Sequence, residues 1–248
     1  MRKILYTVMA VCALASCKKD DTLRYNNMTM GNIDGQTIIS DQGNTFNIAE
    51  SLFNVDLTKF PNGRVLLTCD VLRETSNSTY DIRLTDITNV LTKNVKTLAD
   101  STPEENLETD DPLILTDIWY SGGYLNLHIE FFHKAGSENT HFINLLHETS
   151  EDGKHIFSLR HNALGELPYE KLADKTFYLT GGYVSFPISQ VIEGNSADIV
   201  LNWKSYKFSS DEQTLPEIHD VTKEYKWTRG GYEHAPRSTD VKSSIELR

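Results

Sequence analysis

Cysteine is almost missing from this chain: Cys12, Cys17 and Cys69 are all it has. Three thiols, one inside an N-terminal apolar leader and one directly after it, exclude a disulfide framework. Positive charge is also in deficit. Only 24 Lys and Arg stand against 35 Asp and Glu, and loss of Arg2 and Lys3 with the leader takes the net charge from −11 to −13. A surface of that sign repels phosphate backbones and anionic headgroups, which excludes nucleic acid as a partner. No apolar run approaches the ~20 residues of a membrane-spanning helix. There is no Gly-x-Ser-x-Gly elbow, no phosphate-cradling glycine loop and no Cys-x-x-Cys. The chain therefore reads as a non-enzyme that needs no cofactor.

What is present begins with Arg2-Lys3, an apolar run from Ile4 to Ala15, and Leu14-Ala15-Ser16-Cys17. A charged start, a short apolar core, small residues and then cysteine make a bacterial lipoprotein signal. The expectation is a signal peptide at residues 1–16, cleaved before Cys17, whose thiol carries a diacylglyceryl group. A plain secretory signal with an incidental cysteine is the alternative. Lipid on Cys17 would then be the attachment to the membrane. Residues 17–26 are polar and aperiodic, as in a flexible tether.

Short strands with turn chemistry fill the rest, enough for two domains. Asp34-Gly35, Gln42-Gly43-Asn44 and Pro61-Asn62-Gly63 punctuate residues 27–98. Between Arg64 and Arg73, Val65, Leu67, Cys69 and Val71 share one face by strand alternation. Five short strands there suggest a small antiparallel barrel. Residues 99–112 hold Asp100, Glu104, Glu105, Glu108, Asp110 and Asp111 with little that is apolar. That composition reads as a solvated acidic linker. A calcium loop is the sharper reading, but neither its glycine nor its alternating ligands are present. Residues 113–230 hold eight further strand candidates, punctuated by Gly122-Gly123, Glu151-Asp152-Gly153 and Gly181-Gly182, as in a sandwich of two antiparallel sheets. One helical turn is expected at Pro168–Ala173, and residues 231–248 form a polar tail.

Six of the eight histidines crowd into residues 128–161: His128, His133, His141, His147, His155 and His161. Alternation puts His141 and His147 on one face of a strand, and His155 and His161 on one face of the next. Neighbouring strands could bring imidazoles together for a zinc-type site. Yet no carboxylate or thiol stands at ligand spacing, and His133 falls in an expected loop. His147-Glu148-Thr149-Ser150-Glu151 ends in Glu where a helical zinc-protease motif needs His. Packing residues are thus the expectation, with no functional metal. Cys69 reads as a buried filler rather than a reactive thiol. Trp203, Tyr225 and Trp227 sit on apolar strand faces and read as core rather than as a sugar-stacking platform.

Several short motifs occur in a telling order: Gly31-Asn32-Ile33, Gly63-Arg64-Val65-Leu66, Asp111-Pro112-Leu113-Ile114, Gly123-Tyr124-Leu125-Asn126-Leu127 and His141-Phe142-Ile143-Asn144-Leu145-Leu146. With Leu14–Cys17 followed by Asp20-Asp21, this layout resembles the NigD-like lipoproteins of the Bacteroidota across essentially the whole mature chain. The chain departs from that pattern in placing Lys18-Lys19 directly after Cys17. The resemblance implies an all-β chain, an N-terminal OB-like barrel followed by a C-terminal antiparallel β-sandwich. It also implies a lipid-anchored protein of the cell envelope, at the outer membrane, with surface exposure one possible outcome. That family is named from a bacteriocin locus in which its member was proposed to give immunity, and it supplies no catalytic residues to carry over. The expected work is binding. The partner is an unknown protein or toxin, with a glycan or another envelope protein as the alternative and a metal-dependent hydrolase as a third reading.

Overall fold

The computed structural model describes residues 23–168, 176–209 and 215–231. The leader, Cys17, most of the tether, the helical turn after Pro168 and the tail beyond Gly231 lie outside the described residues. Among those described, strand is the dominant state and helix is limited to three short 3-10 turns.

The first five strands are β1 (Leu23–Asp34), β2 (Thr37–Ser40), β3 (Thr45–Ser51), β4 (Arg64–Ser76) and β5 (Thr79–Asn89). They close into a barrel in the order β1-β2-β3-β5-β4. Its one parallel pair is β3 with β5. A five-stranded closed barrel of this order is OB-like, the architecture the resemblance implied. Alternation along β4 explains its interior: Val65, Leu67, Cys69 and Val71 point inward to pack with Ile38, Phe46, Ile82 and Leu84. β1 takes in residues 23–26, which the sequence reading left in the tether.

The second unit stacks two four-stranded sheets. Its strands are β6 (Leu91–Thr92), β7 (Ile114–Ser121), β8 (Tyr124–Lys134), β9 (Phe142–Thr149), β10 (His155–Asn162), β11 (Phe177–Phe186), β12 (Ser196–Lys207) and β13 (Glu217–Thr228). One sheet runs β13-β12-β10-β9 and the other β6-β11-β8-β7. Leu125, Leu127, Ile129, Phe131, Val184 and Phe186 from one sheet meet Ile143, Leu145, Phe157, Leu159, Ile199 and Leu201 from the other. Trp203 and Trp227 are buried in that core, as expected. Two parallel pairs, β10 with β12 and β6 with β11, interrupt an otherwise antiparallel pattern.

The two units meet along the outer face of β1 and β4. Met30 pairs with Leu66 across those strands, and Asn32 with Arg64. Met30 and Leu66 pack with Val90 and with Trp119 and Tyr183 of the sandwich, forming a small buried cluster between the units. Burial of apolar side chains from both sides is what makes this contact a firm one.

Three further features differ from the sequence reading. The sandwich begins at Leu91, since β6 already pairs with β11, so the junction falls at Val90 and not at residues 99–112. Gly181-Gly182 is no turn; both lie inside β11, and a Cβ on Gly181 would collide with the Ile129 carbonyl of β8. The glycine is there because another backbone crosses too closely for any side chain. The acidic stretch, finally, is packed on the sandwich. Leu107 is 1 % exposed. Glu105 pairs with Lys93 and Lys96, Asp110 with Arg160, and Asp111 accepts from the Ala163 amide at 2.8 Å. Each of these carboxylates has its own protein partner, and they do not converge as calcium ligands would.

This packing yields a direct expectation. Leu107→Ala should cost about 2–5 kcal/mol in denaturant unfolding, the usual penalty for emptying a buried leucine site. A loss within ~0.5 kcal/mol, as at an exposed position, would restore the solvated linker.

Candidate functional site

Among the described residues, two clusters of buried polar side chains take in most of the quoted motifs. The first sits between barrel and sandwich. Arg64 opens β4 just after the turn at Gly63, on the outward face that the sandwich covers, and is fully buried. Its five N–H groups are all engaged. Nε donates to Ser185 Oγ at 2.9 Å; Nη1 donates to Asn32 Oδ1 at 3.3 Å and Asp41 Oδ1 at 2.9 Å. Nη2 donates to Asp41 Oδ2 at 2.7 Å and Asn126 Oδ1 at 2.9 Å. Ser185 Oγ donates to Asn126 Oδ1, Asn126 Nδ2 to Ser121 Oγ, and Ser121 Oγ to Asp41 Oδ2, which closes the ring. The Tyr124 ring covers the guanidinium at 3.9 Å. Gly122, at φ +59°, belongs to the tight turn joining β7 to β8, and a Cβ there would lie 2.5 Å from Asp41 Oδ1. The motifs at Gly31, Gly63 and Gly123 are thus parts of one joint.

The second cluster lies inside one end of the sandwich. His133 is the penultimate residue of β8, not a loop residue as its sequence context suggested. His141 precedes β9, and His161 stands near the end of β10. All three are buried, and so is Glu166 in the loop after β10. Glu166 accepts from the Lys134 amide at 3.1 Å, from Asn139 Nδ2 at 2.8 Å and from Ser137 Oγ. Burial opposes its ionisation, but these donors outweigh it and bring the pKa down to about 2. Burial, helped by the neighbouring His141, pushes His161 down to about 3. His141 is also lowered, by burial first, against the pull of Glu166. The motifs at Asp111 and His141 feed this cluster, since the Pro112 carbonyl faces His161 Nδ1 at 3.1 Å.

The remaining histidines of the sequence cluster do not join it. His147 and His155 form a separate stacked pair, Nε2 to Nδ1 at 2.8 Å. His128 stacks on Tyr183 at 4.5 Å and contacts Thr116. Sequence reasoning missed Glu166, Asp41 and the role of Arg64. A charge opening an apolar strand was the one available signal for Arg64; Glu166 gave none, because its partners lie 25 to 33 residues away in the chain.

Cys69 is buried in the barrel core, and burial pushes its thiol up to about 12. No described helix is long and apolar enough to cross a membrane.

Residues 94–216 match the model of the NigD-like C-terminal beta sandwich domain. No curated protein matches the chain. Among solved structures, a NigD-like immunity protein from Bacteroides caccae superposes with a TM-score of 0.58 at 19 % identity, covering 82 % of this chain and 96 % of that one. A protein of unknown function from Bacteroides vulgatus gives 0.54 at 18 % identity, over 84 % and 90 %. A candidate lipoprotein from Bacteroides fragilis gives 0.51 at 13 % identity, over 78 % and 95 %. At these identities the likeness is one of fold.

The thiol offers a check on the barrel. In protein starting at residue 18, Cys69 is the single cysteine. At pH 8 it should react with a thiol reagent on the order of a thousandfold more slowly in the native state than in denaturant, since only thiolate reacts. Equal rates would mean that the barrel core is open.

Proposed function

We propose, from the match of residues 94–216 to the NigD-like C-terminal beta sandwich domain, that this chain is a NigD-like, non-catalytic binding protein of the cell envelope. Lipid on Cys17 holds it to the outer membrane, and its work is bacteriocin immunity or toxin interception. The observation that carries the binding role is an exposed apolar group at one end of the sandwich. Leu179, Phe208 and Ile218 are each 45–51 % exposed. Leu179 pairs with Phe132 and Ile218 with Tyr206 across neighbouring strands, the Phe208 ring lies 6.2–6.3 Å from both rings, and Phe132 meets Tyr206 edge-to-face at 5.1 Å. Contiguous exposed apolar side chains mark a contact surface more often than chance placement does. The strongly negative chain adds a preference for a basic polypeptide, through steering more than through affinity.

Two shallow grooves, of about 250 and 310 Å3, lie along β10, β12 and β13. Neither is lined by histidine or cysteine. The first carries Asp110, Arg160, Asn202, Asp220 and Thr222, a polar set that favours a second reading, a surface accessory protein that holds a glycan.

Cells lacking the protein and challenged with a competitor's secreted toxin should regain resistance from the wild-type gene. The Cys17→Ser protein should leave the detergent-soluble membrane fraction, because the acyl chains are its anchor. Phe208→Asp combined with Ile218→Asp should stay anchored and fail to protect. Retention of Cys17→Ser in the membrane would remove the lipid anchor from this account. Full protection by the double variant would remove the apolar surface.

A further inference from the structure

Counting protons in the buried histidine cluster exposes a deficit. The contacts of His133, His141 and His161 involve five sites that need a hydrogen. His133 faces the carbonyl oxygens of Lys134 and Asn139, each at 3.0 Å. His161 Nδ1 faces the carbonyl of Pro112, and His161 Nε2 faces His141 Nδ1 at 3.0 Å. His141 Nε2 faces Glu166 Oε2 at 3.3 Å. Carbonyl and carboxylate oxygens only accept, so every one of these contacts requires a proton on a ring nitrogen. Three neutral imidazoles carry three protons. Two contacts are left as lone pair against oxygen, in a place without water's dielectric to soften them.

Local partners decide where the deficit falls. The Pro112 carbonyl fixes the proton of His161 on Nδ1, so His161 Nε2 accepts and His141 Nδ1 must donate. That leaves a lone pair on His141 Nε2, aimed at Glu166. If His133 gives its proton to the Asn139 carbonyl, its Nδ1 presents a second lone pair, 3.9 Å from the same Glu166 oxygen. Two imidazole lone pairs and an ionised carboxylate then converge, their ligand atoms all within 4.8 Å of one another.

From this convergence we infer that His133 Nδ1, His141 Nε2 and Glu166 Oε2 bind a divalent transition-metal cation of the zinc type. Two nitrogens and one carboxylate oxygen are an established ligand set for zinc. Bonds of 2.0–2.2 Å in a tetrahedron put ligand atoms roughly 3.3 Å apart. The His141–Glu166 separation already has that value; His133 Nδ1, 3.9 Å from Glu166 Oε2 and within 4.8 Å of the His141 nitrogen, must move about 1–1.5 Å toward them. The supporting shell is in place without rearrangement. His141 leans on His161, which leans on the Pro112 carbonyl, and Glu166 is held by Ser137, Asn139 and the Lys134 amide. Such outer partners fix the tautomers and orientation of the ligands. The cation would tie together β8, the β8–β9 connection and the loop after β10. Its role is to clamp that end of the sandwich, since the burial of all three ligands leaves no approach for a substrate.

The test uses purified protein stripped with chelator and titrated calorimetrically with zinc chloride, with calcium and magnesium chlorides as controls. One equivalent of zinc should bind with micromolar or tighter Kd and raise Tm, while calcium and magnesium do neither. Glu166→Gln and His133→Ala should each weaken zinc binding at least tenfold. His147→Gln, which removes one ring of the other histidine pair, should leave it unchanged. His133→Ala removes only a ring that touches loop carbonyls, so it serves where Glu166→Gln does not fold. Cobalt(II) in the wild-type protein should show the visible bands of a four-coordinate nitrogen–oxygen site. No zinc binding below about 100 μM would overturn the inference. So would binding lost in His147→Gln and kept in both of the other variants.

Discussion

The buried Arg64–Asp41 pair is the interaction on which the two-unit architecture depends. An isolated charge in this interior would cost far more than the contact surface returns. Arg64 is tolerable there because all five of its donors find oxygen, two of them on one carboxylate. Those oxygens come from both sides: Asp41 and Asn32 from the barrel, Ser185 and Asn126 from the sandwich. Moving one unit relative to the other breaks the ring at several points at once. The apolar cluster of Met30, Leu66, Val90, Trp119 and Tyr183 beside it supplies adhesion, while the ring supplies register. Bidentate geometry is what makes that register specific.

The same division recurs at the far end of the sandwich. There the polar group is the histidine–glutamate cluster, and strand ends and loops, not domains, are what it joins. The acidic stretch links the two regions along the chain. It leaves the barrel at Val90, runs past Lys93 and Lys96, buries Leu107, and delivers Pro112 to His161. A segment that looks like spacer by composition is thereby part of the frame of the second unit.

Much of the fold was legible because strand alternation is a local property. Val65, Leu67, Cys69 and Val71 share a face in sequence and do so in the barrel core. Asp34-Gly35 marks its turn through glycine's freedom at φ +61°. Failures came where meaning is non-local. A glycine that ends a strand and one that lets a neighbouring carbonyl approach look alike, so Gly181 was read as a turn. Carboxylates at 105, 110 and 111 read as solvated because their cations sit elsewhere in the chain. Glu166 carried no signal at all, since its ligand-like geometry is made by the ends of β8, β9 and β10. Burial of Asn126 and Arg64 could not be inferred without knowing that a second unit covers them.

The central claim is that the Arg64 ring makes barrel and sandwich one cooperative unit. Urea unfolding followed by two native probes tests it directly: Cys69 reactivity for the barrel, and fluorescence of Trp203 and Trp227, together with Trp119 at the joint, for the sandwich. The wild-type transitions should coincide. Arg64→Met should separate them and cost about 3–5 kcal/mol, the penalty for stranding a buried carboxylate. Arg64→Met with Asp41→Leu should recover part of that loss. Separate transitions in the wild type, or coincident ones in Arg64→Met with a loss below about 1 kcal/mol, would contradict the claim.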